Sequence, residues 1–155
     1  MKERVISVDI FRGMTIVLMI LVNTPGTWAH VYGPLLHAEW HGYTPTDLVF
    51  PFFLFIVGTS IVFAYRQKEA NAATHKKIVI RSLKLIGLGL FLGAFTVAFP
   101  FIKEFETIRF PGVLQRIGVV FFFAALLYLH ANWKVLLGVA IAVLLGYWIW
   151  LGYPP

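Results

Sequence analysis

The chain has 155 residues, is 59% hydrophobic with a mean hydropathy of +0.81, and carries charge on only 13% of its residues. That is too little charge to coat a globular surface, so the composition excludes an ordinary soluble domain and indicates a membrane protein. The net charge of +6 does not indicate nucleic acid, because most basic residues cluster in two short segments beside apolar runs; the absence of cysteine excludes disulfides, thiolate-bound zinc and a cysteine nucleophile within the chain.

A membrane-spanning helix needs ~20 mostly apolar residues, and the chain offers such segments in succession. The first runs from about Val5 to Asn23. Lys2 and Arg4 ahead of it imitate a signal peptide, but Asp9 and Arg12 interrupt the apolar run and no clean small-residue cleavage site follows, so it reads as a retained span. Pro25 and Gly26 cut it short. The second segment runs from Asp47 to Tyr65, the third from Leu83 to Ile102, the fourth from Pro111 to Leu129 and the fifth from Val135 to Tyr153. The expected fold class is all-α, a polytopic transmembrane helix bundle with about five spans. It forms a single transmembrane domain over residues 1–155. Apart from the first, the loops are short, so neighbouring helices are expected to run antiparallel.

Lysines and arginines give an orientation. Lys2, Arg4 and Arg12 mark the N-terminus as cytoplasmic, as Arg66, Lys68, Lys76, Lys77, Arg81 and Lys84 mark the second loop and Lys134 the fourth. The first loop has none, and in the third Lys103 and Arg109 are offset by Glu104 and Glu106. The loop holding His30, His37 and His41 therefore belongs outside. With that topology Asn23, His37, Asp47, Arg109, Gln115 and Arg116 fall on one side of the bilayer, although far apart in sequence. Titratable groups at the mouth of a span are costly to keep there and mark a site between helix ends.

Structural readings stand beside this one. Thr44-Pro45-Thr46-Asp47 matches a capping box, in which Asp47 serves backbone amides; a carboxylate has two oxygens, so a second role is compatible. His30 and His41 read as ordinary loop residues. Arg116 either holds a structural carboxylate or binds an anionic substrate group. Asp9 and Arg12 form an i,i+3 ion pair, Gly89 and Gly93 a GxxxG contact motif, and the tryptophans interfacial anchors. The basic second loop is a topology signal, with phosphate binding as the alternative. His37 and His41 are four apart, but neighbouring Gly42 and prolines indicate a loop and no HExxH is present, so no metal is expected.

Four separated segments carry a family resemblance. Ser7-Val8-Asp9-Ile10-Phe11-Arg12-Gly13, with Asn23 following, resembles the opening motif of the heparan-α-glucosaminide N-acetyltransferase family of membrane acyltransferases. His37-Ala38-Glu39-Trp40-His41-Gly42 resembles its histidine loop, Asp47-Leu48-Val49-Phe50-Pro51 its entry to the second helix, and the stretch from Arg109 to Val119 a fourth motif. The similarity extends over the whole chain, with the motifs in the family's order.

The resemblance implies acetyl transfer from cytosolic acetyl-CoA, as donor, to an amino sugar on the far side of the membrane. His37 falls on the family's catalytic histidine, with Asn23 and Asp47 on its polar partners; Arg116, Gln115, Arg109 and Trp40 are expected to bind substrate or cofactor. A histidine can act as general base towards the amine or carry the acetyl group itself, and both routes stay open. Asp47 would orient the imidazole and Asn23 donate to the oxyanion. The alternative function is transport of N-acetylglucosamine or a related sugar, since polar residues at the midplane also suit a permease. The family has roughly twice the spans that one core of five offers, so the chain reads as an N-terminal portion, expected to be inactive by itself. Compact loops and the absence of an Asn-x-Ser/Thr sequon point to a bacterial inner-membrane relative acting on an amino sugar from cell-wall or glycan breakdown and not on heparan sulfate. The expected partners are the lipid bilayer and that sugar, with a homodimer as the expected assembly and no nucleic acid.

Overall fold

The computed structural model describes residues 5–27, 29–39, 42–95 and 112–152. These hold five α-helices and one short 3-10 turn: α1 (Ile6–Asn23), the turn (Gly33–Leu35), α2 (Pro45–Tyr65), α3 (Ala72–Ala94), α4 (Val113–His130) and α5 (Trp133–Gly152). The expected all-helical class is therefore observed. Helices α1, α2, α4 and α5 are long and apolar enough to cross a membrane. The chain divides into two compact units, Met1–Ser60 and Ile61–Pro155.

In the first unit, α1 ends where Thr24 precedes Pro25, because the proline ring disfavours helical geometry in the residue before it. Proline opens α2, where its missing N–H would lack an intrahelical partner in any case. Pro51 inside α2 removes the N–H that the Asp47 carbonyl would otherwise accept. Phe11 of α1 meets Phe52 and Phe55 of α2 edge-on, with centroids 5.4 and 6.5 Å apart. The i,i+3 pair is present, with Arg12 Nη1 3.7 Å from Asp9 Oδ1. Arg12 also donates from Nη2 to Ser60 Oγ at 2.7 Å, a tie between helices that no sequence pattern announces.

The second unit rests on α3 against α4. Thr74, Ile78, Ser82 and Gly89 form the buried stripe of α3, facing buried Gln115, Ile117, Gly118, Phe121 and Ala125 of α4. Bilayer hydrocarbon gives apolar side chains no hydrophobic drive to associate, so close packing must supply it, and small residues permit that approach. A Cβ on Gly118 would lie 2.9 Å from Ile86 Cγ1 and 3.1 Å from the Ser82 carbonyl oxygen, and one on Gly89 would lie 2.6 Å from Gln115 Oε1. Gly93, the other half of the expected GxxxG pair, has open space over it. At the far end of the pair, His75 Nε2 lies 2.8 Å from His130 Nε2 with the rings stacked, and His75 Nδ1 is 2.7 Å from the Asn71 carbonyl oxygen. The Arg81 guanidinium sits over the Phe121 ring at 4.7 Å. No residue of α5 is buried.

Helix α3 corrects one expectation. It starts at Ala72, not Leu83, so Lys76, Lys77, Arg81 and Lys84 lie on a helix and the α2–α3 connection is only the short stretch from Arg66 to Asn71. Asn71 causes the early start: its Oδ1 accepts from Thr74 N at 2.9 Å, a cap worth about 0.5–2 kcal/mol. The cations fall off the buried stripe, so the helix carries them without burying charge. The expected end of this span at Ile102 and the start of the next at Pro111 lie outside the described residues.

Gly118→Val is expected to destabilise the α3–α4 pair by about 1–3 kcal/mol through overpacking, whereas Gly93→Ala leaves it unchanged. Unfolding of the two variants in a denaturing-detergent titration checks this; equal stability would contradict the packing described.

Candidate active site

Asp47 lies in the first turn of α2, and the segment that follows the 3-10 turn brings His37 back over it. His37 Nδ1 is 2.6 Å from Asp47 Oδ1. The other carboxylate oxygen, Oδ2, accepts from Thr44 N at 2.9 Å and Ala38 N at 3.2 Å, with Thr44 Oγ1 at 3.0 Å. Thr44 Oγ1 also donates to the Leu36 carbonyl at 2.7 Å. Its single proton is shared between those two acceptors, so one threonine ties the histidine-bearing segment to the start of α2.

Both sequence interpretations of Asp47 are thus realised at once. The bond from Thr44 N to Oδ2 is the reciprocal half of a capping box, while Oδ1 is left for the imidazole. Exposure of the pair, 76% for the His37 side chain and 28% for that of Asp47, means that solvent screens much of their attraction. The orientation is therefore enforced mainly by the donors that hold Oδ2. An ionised carboxylate offers only lone pairs, so in the neutral ring Nδ1 bears the hydrogen and Nε2 the lone pair, directed away from Asp47. The result is an imidazole with a fixed tautomer and one open basic nitrogen.

Other expected site residues are placed differently. Asn23 ends α1, and its Nδ2 donates to the Met19 carbonyl one turn back at 2.8 Å; among the described residues it makes no hydrogen bond to His37 or Asp47. One of its two amide hydrogens is thereby committed and the other is open. Gln115 is buried, folded over Gly112 and against Gly89, while Arg116, the next residue on α4, is exposed. Adjacent helical residues point to different faces, so the sequence neighbours divide between helix packing and open surface. Arg109 and Trp40 lie outside the described residues, as does His41. Thr44 was legible only as a cap; its hydroxyl's reach to Leu36 depends on the loop fold.

These features define a class: a helical membrane protein with a carboxylate-oriented imidazole at the head of an apolar helix. The family whose profile matches residues 4–152 is described as heparan-alpha-glucosaminide N-acetyltransferase, catalytic. Curated relatives agree. Heparan-alpha-glucosaminide N-acetyltransferase of Mus musculus is 38% identical over 129 residues, covering 81% of this chain and 19% of the relative. That of Homo sapiens is 38% identical over 131 residues, covering 82% and 19%. The chain belongs to this acyltransferase family, and it spans about a fifth of the length of those relatives.

Replacing Asp47 by Ala is expected to release the ring, so that the Nδ1–H form of His37 no longer dominates; nitrogen NMR of ring-labelled histidine reads the tautomer directly. Thr44→Val should move it part of the way and Thr44→Ser should leave it as in the wild type.

Proposed function

We propose that this chain carries the reacting groups of a transmembrane N-acetyltransferase that moves acetyl from cytosolic acetyl-CoA to an amino sugar on the extracytoplasmic side. Family membership supports the reaction class. The observation that carries the assignment to particular residues is the His37–Asp47 bond with Nε2 left open. The donor brings an acetyl group activated as a thioester. An exposed imidazole with a carboxylate behind it fits that chemistry, because the acceptor amine must lose a proton as it is acylated.

His37 Nε2 takes that proton as the amine nitrogen bonds the acetyl carbon, Asp47 Oδ1 stabilises the imidazolium that results, and the proton passes to the coenzyme A thiolate released when the thioester C–S bond breaks. The same nitrogen is the one positioned to carry the acetyl group in a two-step transfer. The open N–H of Asn23 is offered to the oxyanion; substrate or cofactor binding by Trp40, and by Arg116, Gln115 and Arg109 of the second unit, is proposed on the family resemblance alone. In this reading the protein lies in a bacterial inner membrane with its N-terminus in the cytosol. The segment from Gly13 to Tyr65 holds no lysine or arginine, which supports placing His37 outside. A His–carboxylate pair also suits a proton relay in a transporter; family membership is what favours transfer over transport.

In full-length protein His37→Ala should insert normally and lose acetyl transfer by about 10²–10⁴-fold, the usual contribution of a positioned acid–base group. Undiminished transfer would refute the assignment, and uptake of labelled N-acetylglucosamine into vesicles lacking acetyl-CoA would favour the transporter.

A further inference from the structure

The basic residues of α3 are not scattered over its open surface. At about 100° per residue, Lys77, Arg81 and Lys84 fall on one stripe, which Leu88, Phe91 and the C-cap residue Phe95 continue, all within roughly 80° of arc. Each of these side chains is exposed, off the buried stripe that packs on α4. Lys76 is exposed too, but it lies about 100° round the helix from Lys77.

The stripe changes character along its length. Its first part is cationic and lacks counter-charge: α3 contains no aspartate or glutamate, and among the described residues none of the three cations is ion-paired. The Arg81 guanidinium is held at 4.7 Å over the Phe121 ring, a contact that positions the cation without neutralising it. The second part is apolar, and the Phe91 and Phe95 rings lie side by side with centroids 6.2 Å apart. From Lys84 to Phe95 the helix rises about 16 Å, close to one leaflet's half of a ~30 Å hydrocarbon core. Positive-inside bias accounts for the number of cations at this end of the helix, but not for their sharing a register with an aromatic, apolar track.

We propose that this stripe binds one anionic glycerophospholipid, with its phosphate among Lys77, Arg81 and Lys84 and an acyl chain along Leu88, Phe91 and Phe95. The order of charge and hydrocarbon along the helix is the complement of that molecule. A soluble phosphate would engage the cations alone and leave the apolar side chains uncovered. To test this, full-length protein is delipidated in detergent and titrated with phosphatidylglycerol, and bound lipid is counted by native mass spectrometry. One molecule should bind in preference to phosphatidylcholine. Lys77→Gln and Lys84→Gln should each weaken it about fivefold, and both together with Arg81→Gln about a hundredfold, the usual effect of cations facing anionic lipid. Lys77→Arg, which keeps the charge, should retain wild-type affinity and so exclude misfolding as the cause. Lys76→Gln, at the same depth but off the stripe, should also leave affinity unchanged. Phe91→Ala should weaken binding of dioleoyl phosphatidylglycerol and not of the dihexanoyl form. Equal losses in Lys76→Gln and Lys77→Gln would reduce the effect to general surface potential and overturn the site. Equal binding of phosphatidylcholine, or displacement of the lipid one for one by acetyl-CoA, would overturn it as well.

Discussion

One carboxylate holds the candidate site together. Asp47 uses Oδ2 to collect two backbone amides and a threonine hydroxyl, and Oδ1 to grip the imidazole. The first set of bonds starts a helix and anchors a loop; the last sets a tautomer. Because the two oxygens share one rigid plane, fixing Oδ2 also aims Oδ1, and the imidazole is directed by the same geometry that begins α2. Orientation of the imidazole and helix initiation are thus two results of one residue, and a substitution there disturbs both.

Much of this was legible in the sequence. Long apolar runs gave the helices because hydrocarbon leaves a spanning backbone little alternative. The capping-box spacing gave Thr44 and Asp47, and the motif order gave His37. Other features were not legible, for specific reasons. The start of α3 was misplaced because a cluster of lysines and arginines reads as a loop, whereas Asn71 caps a helix that carries those cations off its buried stripe. Arg12 with Ser60, and His75 with His130, join residues whose pairing only the packed helices decide. Gln115 and Arg116 appeared as one polar group, but helical rotation divides them. Of the paired glycines, Gly89 is crowded and Gly93 open, a distinction set by the partner helix and not by spacing.

The second unit shows what replaces a hydrophobic core in such a chain. At Gly118 and Gly89 the two helices α3 and α4 approach so closely that a Cβ would find no room. Large residues are then excluded from a few positions and tolerated elsewhere, as the exposed apolar surface of α5 illustrates. Stability in this part of the molecule depends on clearance at a few atoms more than on total apolar area.

The cation-free stretch from Gly13 to Tyr65 has an electrical consequence. Carrying a positive charge outward across an inside-negative membrane costs about 2.3 kcal/mol per elementary charge at 100 mV. In the proposed orientation the exported loop brings the carboxylates Glu39 and Asp47, and no lysine or arginine, to the far face, a direction the transmembrane voltage favours. The segment proposed to carry the reacting groups is thereby among the least expensive parts of the chain to translocate.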